Sequence, residues 1–399
     1  MSEKLWDKGY QLDSLIEDFT VGEDYLLDMK LIEYDILASI AHARMLQKKN
    51  LLTVEEFSAI ENALKKLLNL VEAGKFEIKK EQEDCHTAIE NFLVQEIGEI
   101  GKKIHTARSR NDQVLTAIRL YQKDELMQIY SLIKDLQKSL KKFAKKYRSV
   151  QFAGYTHTRK AMPTNFEIYA YAFVDALQDD LKLLKAIYEI IDQCPLGTGA
   201  GYGVPIEVDR EFTAKELGFK KVQENPIYAQ NSRAKFDALI VQTLLQIGYD
   251  LNKLATDLIF FSLEEIGYVV LPKQFCTGSS IMPHKFNPDP LELLRANYHR
   301  LIGNLMQILS LSSNLISGYH RDFQLLKKPL IDSFETVKQM IVVMKVIVDG
   351  LKVDEEKCKK SLTEEVFSTH KVYELVKQGI PFREAYKMVA IQYSKGGQV

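Results

Sequence analysis

The apolar positions of this chain repeat with the period of a helix along most of its length. Leu26, Leu31, Tyr34, Leu37, Ile40 and Ala41 form a first run, and Ile118, Tyr121, Leu126, Ile129, Tyr130, Ile133, Leu136, Leu140 and Phe143 form a longer stripe. The period continues from Thr164 to Leu184, in Ile240, Leu244, Ile247, Leu251, Leu254 and Leu258, and again from Leu291 to Ile316. These are five long helices, and no strand-like alternation of comparable strength competes with them. Thr53 and Glu56 have the spacing of a capping box at the start of a further helix. All ten prolines fall at or after Pro163, so nothing forces a helix break before that point. The expected fold class is all-α, a long helix bundle with smaller helical parts at either end. Several helices exceed the usual ~8 to 20 residues, which points to faces buried against other subunits.

Polar segments interrupt these helices, and they carry the candidate chemistry. The most informative is Thr277-Gly278-Ser279-Ser280-Ile281-Met282-Pro283-His284-Lys285-Phe286-Asn287-Pro288-Asp289-Pro290. Gly278 and the two serines have little helix or strand preference, and Pro283, Pro288 and Pro290 remove backbone donors, so the segment is a loop. A polar, Lys-bearing loop held at both ends by helices has the build of a catalytic lid; a surface connector is the other reading. At its exit, Asp289 has the position of a cap, Pro290 that of the first helical residue, and Glu292 completes a second capping box. Further back, Arg108, Arg110 and Asn111 stand at the mouth of a helix. Guanidinium groups and free backbone N–H groups there suit a carboxylate, although a solvated basic turn has the same pattern.

Three other segments stand out. Glu83 to Glu90 opens a helix with acidic residues expected in its first turn, and His86 and Glu90 share one face, either as a surface pair or to orient a substrate. Gly154 to Pro163 breaks the helical pattern as a kinked polar element, with Thr156 and His157 able to face a cleft. Pro195 to Pro205 is Gly-rich, but no strand precedes it and the lysine of a phosphate-binding loop is missing.

Composition narrows the class. At 399 residues the chain can bury a large core in two or three domains. With 53 basic against 54 acidic side chains there is no global pull toward nucleic acid or an anionic membrane, so anion specificity must be local. Cys85, Cys194, Cys276 and Cys358 are scattered without metal-ligand spacing or the density of a disulfide scaffold and read as reduced thiols of a cytoplasmic protein. The first residues, Met1 to Lys8, contain no apolar signal core, and no segment offers about 18 uncharged apolar residues.

The run Gly-Ser-Ser-x-Met-Pro-x-Lys-x-Asn-Pro from Gly278 to Pro288 resembles the signature of the fumarase/aspartase superfamily, homotetrameric lyases that expel fumarate by β-elimination. From near Tyr25 to near Ala390 the chain most resembles the argininosuccinate lyases of that superfamily. His105-Thr106-Ala107-Arg108-Ser109-Arg110-Asn111-Asp112-Gln113, Gly154-Tyr155-Thr156-His157, Pro195-Leu196-Gly197-Thr198-Gly199-Ala200 and the Tyr319, Gln324, Lys327 segment are similar to further family motifs. The resemblance implies Ser279 as the base, His157 as the acid or the holder of a water, Glu292 as a group raising the basicity of His157, and Lys285 and Asn287 on the carboxylates of the fumarate end, beside Ser280. It implies Arg110, Asn111, Thr156, Tyr319, Gln324 and Lys327 as substrate contacts, with His86 and Arg108 as further candidates, and no metal or cofactor. Departures fall at Ala107, Arg159, His284, Arg233-Ala234-Lys235 and His320-Arg321.

The same resemblance implies domains at 1–105, 106–352 and 353–399, the last truncated, and a central bundle of 20 helices shared by four chains with each active site drawn from three subunits. The implied reaction cleaves argininosuccinate to arginine and fumarate. An adenylosuccinate lyase would need sites for a phosphate and a base, for which no motif is present. A structural relative, like the lens δ-crystallins, is the alternative from another class.

Overall fold

The computed structural model describes residues 12–394, so Met1 to Lys8 and the reading made of them lie outside the described residues. Its principal helices and strands are α1 (Ile32–Lys48), α2 (Val54–Glu72), α3 (Cys85–Ile97), α4 (Arg110–Lys146), β1 (Gln151–Thr156), β2 (Arg159–Asn165), α5 (Phe166–Ile191), α6 (Arg233–Phe261), β3 (Thr277–Gly278), β4 (Phe286–Asn287), α7 (Asp289–Leu311), α8 (Lys327–Gly350), α9 (Ser368–Lys377) and α10 (Phe382–Ser394). The fold is all-α, as the apolar period requires. The 37 residues of α4 make a rod of about 55 Å. Helix α8 adds a long helix that the five apolar runs did not include, and the Leu26–Ala41 run divides into a single turn, Asp24–Leu27, and α1.

Two compact units are present. One contains the described residues up to Tyr130 with Lys182–Leu244 and Leu301–Thr336; the other contains Ser131–Leu181, Leu245–Arg300 and the described residues from Val337 onward. In the first, α1, α2 and α3 bury Ile32, Ile36, Leu46, Ile60, Leu64, Ile89 and Leu93 in a common core. Each such side chain contributes about 1.5–3 kcal/mol on burial. The capping box forms as the sequence indicates: Glu56 N donates to Thr53 Oγ1 at 3.2 Å and Thr53 N to Glu56 Oε2 at 3.0 Å. Gly101 allows the tight approach behind α3, since a Cβ there would lie 2.6 Å from the Leu93 carbonyl carbon.

The second unit corrects the reading of 154–163 as a kinked helical break. The segment is an antiparallel hairpin, pairing Gln151 with Asn165 and Thr156 with Arg159, with an irregularity between Ala153 and Tyr155. The reason is packing. Phe152 is enclosed by Phe166 at 4.5 Å, Tyr268 at 5.2 Å and Phe261 at 5.5 Å between ring centroids. Ala153 N donates to Ser361 Oγ at 2.9 Å and Ala153 O accepts from Tyr268 Oη at 3.3 Å. A buried aromatic anchor of this kind overrides the helical tendency of its surroundings.

Candidate active site

The first unit contains a cavity of about 130 Å³ whose walls include Asp24, Asp84, His86, Arg110, Asn111, Arg233, Tyr319, Arg321, Gln324 and Lys327. It is built by helix ends. Asp84 caps α3, accepting from Thr87 N at 2.8 Å, so the acidic pair Glu83 and Asp84 precedes the first turn instead of occupying it, contrary to the sequence reading. Both carboxylates also hold Arg110, the first residue of α4, with Glu83 at 3.4 Å and Asp84 in direct contact. Burial works against the charge on Arg110, but Asp84 and Glu83 outweigh it and raise its pKa. Lys327 begins α8 and donates to Asp28 Oδ1 at 2.6 Å and Asp24 Oδ2 at 2.9 Å. Burial opposes its ammonium as well; the two carboxylates reverse that and hold it charged above the ordinary lysine range. Gln324 Nε2 donates to the carbonyls of Thr20 and Val21 at 3.1 and 3.2 Å. The Arg233 guanidinium lies over Tyr319 at 5.0 Å and Phe323 at 5.6 Å.

His86 is buried and shares a proton with Asp35 across 2.7 Å, while Gln113 Nε2 donates to the same carboxylate at 3.2 Å. Burial disfavours the imidazolium, yet Asp35 overcomes it and raises the His86 pKa. His86 and Glu90 are therefore no surface pair: both are buried, and Glu90 instead pairs with His105 Nδ1 at 2.8 Å. Arg108 is not a cavity wall. Its Nη1 donates to Ser39 Oγ at 2.8 Å inside the first unit, whereas Arg110 and Asn111 line the cavity.

Asp112, in the first turn of α4, ties this helix mouth to the Gly-rich connector. Its Oδ1 accepts from Ser109 N at 3.0 Å, and its Oδ2 from Gly197 N at 3.0 Å and Gly199 N at 2.8 Å. Burial pushes the Asp112 carboxyl up to about 6 although these amides pull it down. Gly199 has φ +57, and a Cβ there would stand 2.8 Å from the Gly203 carbonyl oxygen, so the strap needs glycine. Ala107, where the family motif has glycine, takes φ 61.

The other candidates lie in the second unit. His157 and Thr158 form a two-residue turn between β1 and β2 with φ 51 and 58, both left-handed and neither glycine. Such turns favour Asn and Gly, and a non-glycine residue there stores about 1 kcal/mol or more. Strained non-glycine backbone clusters at functional positions. In the signature loop, Thr277 pairs with Asn287 and Gly278 with Phe286, closing the loop at its base. Ser279 Oγ accepts from Met282 N at 3.1 Å and Ile281 N at 3.4 Å, and Lys285 N donates to Met282 O at 3.1 Å. The expected second capping box is replaced. Helix α7 starts at Asp289 itself, whose carboxylate accepts the Thr277 hydroxyl, and Glu292 N donates to Pro288 O at 3.3 Å. Thr156, His157, Ser280, Lys285 and Glu292 are exposed, Ser279 and Asn287 partly so, and none of the seven lines the cavity.

Asp28, Cys85 and His86 place one ligand atom each within 4.8 Å of one another. They suit a metal poorly, because Asp28 already receives Lys327 and Cys85 N, the latter at 3.1 Å, and burial pushes the thiol of Cys85 well up. The sequence reading missed Asp24, Asp84, Arg233 and Arg321 as cavity walls. The signal available for Arg233 was its departure from the family's Ser-x-Arg-Asp.

A model of a family described as lyase matches residues 9–303. The chain is 65% identical to an argininosuccinate lyase from Thermotoga neapolitana over 99% of each sequence, and 38% identical to one from Parabacteroides distasonis over 99% of this chain and 89% of that one. Its fold is similar to that of a cobalt-bound fumarate lyase:delta crystallin from Brucella melitensis, with TM-score 0.82, 18% identity, and coverage of 97% of this chain and 90% of that one. The signature loop, the Arg110–Asn111 helix mouth and the Tyr319–Lys327 segment thus occur together in a chain that belongs to the lyase family and, within it, to the argininosuccinate lyases.

Proposed function

We propose that the protein cleaves argininosuccinate to arginine and fumarate by β-elimination, the last step of arginine formation, in the cytoplasm and as a homotetramer. The observation that carries this reading is the cavity that gathers Arg110, Asn111, Tyr319, Gln324 and Lys327 from two distant stretches of chain. With four cationic and two acidic side chains on its walls, it suits a zwitterionic amino acid head group better than a nucleobase.

Elimination requires a base for the carbon-bound proton, a clamp for the carboxylate where negative charge grows, and an acid for the departing nitrogen. Ser279 is the base. A hydroxyl is a weak base unless its alkoxide is stabilised, and the amides of Met282 and Ile281 already point at Ser279 Oγ. Lys285 and Asn287 hold the fumarate-end carboxylates, with Ser280 beside them. His157 supplies a proton to the departing nitrogen, directly or through water, with Glu292 as its partner; Thr156 holds substrate alongside. The rigid base of the hairpin, fixed through Phe152 and Ala153, supports a strained turn that presents His157 outward.

The tetramer draws support from exposed apolar side chains on the long helices, including Leu293 and Met306 of α7 and Val342 and Val346 of α8. Isolated exposed leucines are ordinary, but repeated apolar positions along several rods fit helix-to-helix burial between chains. Each active site then draws its motifs from three subunits, so Arg110, His157 and Ser279 need not meet within one chain. No helix among the described residues is long and apolar enough to cross a membrane. Adding argininosuccinate to purified protein should raise fumarate absorbance. A response to adenylosuccinate alone overturns the substrate, and correct assembly without turnover on any succinyl-amine favours a structural role.

A further inference from the structure

The tip of the hairpin carries a cation that the proposed reaction does not use. Thr156 of β1 and Arg159 of β2 pair across the two-residue turn of His157 and Thr158. Residues directly opposite one another in an antiparallel ladder project from the same face of the ribbon, with Cβ atoms about 4.5–5.5 Å apart. Arg159 therefore shares a face with Thr156 and stands two residues from His157. The next pair, Tyr155 with Lys160, projects the other way. Tyr155 meets Phe260 edge to face, with ring centroids 5.0 Å apart, and β2 packs beside Glu364–Phe367, where the Lys160 charge acts on Glu365. That face is turned to the body of the unit, so the face of Thr156 and Arg159 is turned away from it. Both of these residues are exposed, and among the described residues Arg159 makes no ion pair. Arg159 is also one of the departures from the family motif, so the resemblance gives it no role.

We infer that Arg159 is a substrate-binding residue whose guanidinium pairs with the succinyl carboxylate on the carbon that bears the departing nitrogen. His157 serves that nitrogen, so a long side chain on the same hairpin tip reaches the groups bonded to the adjacent carbon, and a carboxylate is one of them. The planar fork of a guanidinium matches the two oxygens of such a group. The other succinyl carboxylate lies beyond the carbon that gives its proton to Ser279, on the side of the signature loop. The inference rests on the reaction proposed above, and that reaction dictates its kinetic signature. Elimination builds negative charge on the carboxylate next to the deprotonated carbon, whereas the carboxylate beside the nitrogen keeps the same charge throughout. A group that holds the second binds substrate and transition state alike, so its loss raises KM and spares kcat.

The test compares the whole protein with Arg159→Gln and Arg159→Lys, by calorimetric titration with fumarate and by steady-state cleavage of argininosuccinate. Arg159→Gln should weaken fumarate binding and raise KM by roughly 10-fold each, the lower end for a hydrogen bond to a charged group. Its kcat should stay within about 2-fold of wild type. Arg159→Lys keeps the charge without the fork and should fall between the two. Added salt should weaken fumarate binding to the wild type more than to Arg159→Gln. Unchanged fumarate affinity and KM in Arg159→Gln overturn the inference. So does a fall in kcat at constant KM, which would put Arg159 on the proton step of His157, and so does a loss of affinity that follows a lowered melting temperature and that lysine does not rescue. Fumarate binding that depends on Arg159 in a protein unable to cleave argininosuccinate refutes the proposed reaction and leaves the carboxylate contact standing.

Discussion

The cavity of the first unit and the signature loop of the second handle polar groups in opposite ways. Around the cavity, most charges are matched, Arg110 with Glu83 and Asp84, Lys327 with Asp24 and Asp28, and His86 with Asp35, while Arg321 is exposed. In the loop and the hairpin turn, Lys285 and His157 are exposed and, among the described residues, Ser279 makes hydrogen bonds only within its own loop. On the proposed roles, binding groups are thus set in advance by the fold, while the groups assigned to move protons sit on short, accessible segments. Substitutions in the cavity should therefore damage stability and affinity together, whereas those in the loop and turn should damage turnover alone.

The sharpest break of that contrast comes from Ser279→Ala. It should lower kcat by roughly 10²- to 10⁴-fold with an unchanged melting temperature, and wild-type turnover in this variant would remove the base assignment. Next, Lys327→Met should destabilise by about 3–5 kcal/mol, because it leaves the buried carboxylates of Asp24 and Asp28 without their cation; urea unfolding reads this, and a loss below about 1 kcal/mol would mean the pair is less buried than it stands here.

The second unit also contains a pair of the other kind, and pH reports on it. Asp180 of α5 and Asp250 of α6 share a hydrogen bond, and burial, then the charge of Asp250, pushes Asp180 up to about 8. A raised carboxyl pKa means that the folded pair retains a proton the unfolded chain releases above its ordinary value of 3.8. Its contribution is full below that value, declines as pH rises, and is lost once pH passes about 8. Thermal melts of the wild type should fall across this window more steeply than those of Asp180→Asn, and parallel curves would exclude the shared proton. The smallest effect is expected at Thr158→Gly, which removes a β-branched residue from φ 58. It should stabilise by about 0.5–1 kcal/mol and leave turnover unchanged, while no change in melting would show that the turn relaxes by other means.

Much of this was legible in the residue order. The long apolar stripes give the helices, Thr53 and Glu56 give a capping box that forms, and the Gly278–Pro288 run points to the loop. What stayed hidden depends on contacts far apart in the chain. Asp24 meets Lys327 across 303 positions, and no local pattern marks it as a cavity wall. The hairpin was hidden because its turn carries His157 and Thr158 in place of the Asn-Gly that announces such turns, and because Phe152 sets its fate through partners from Phe166 to Tyr268. Asp289 looked like a cap, but Thr277 claims its carboxylate, and a hydroxyl twelve residues away is invisible to a rule based on nearest neighbours.

Helix ends normally fray, and a side chain on the first turn of a rod as long as α4 would be expected to wander. Asp112 prevents this by clasping Gly197 and Gly199, which lie 85 and 87 positions further along. Arg110 and Asn111 therefore stand on a tethered helix end, and a change in a distant glycine strap would be felt first as slackness at the mouth of the rod.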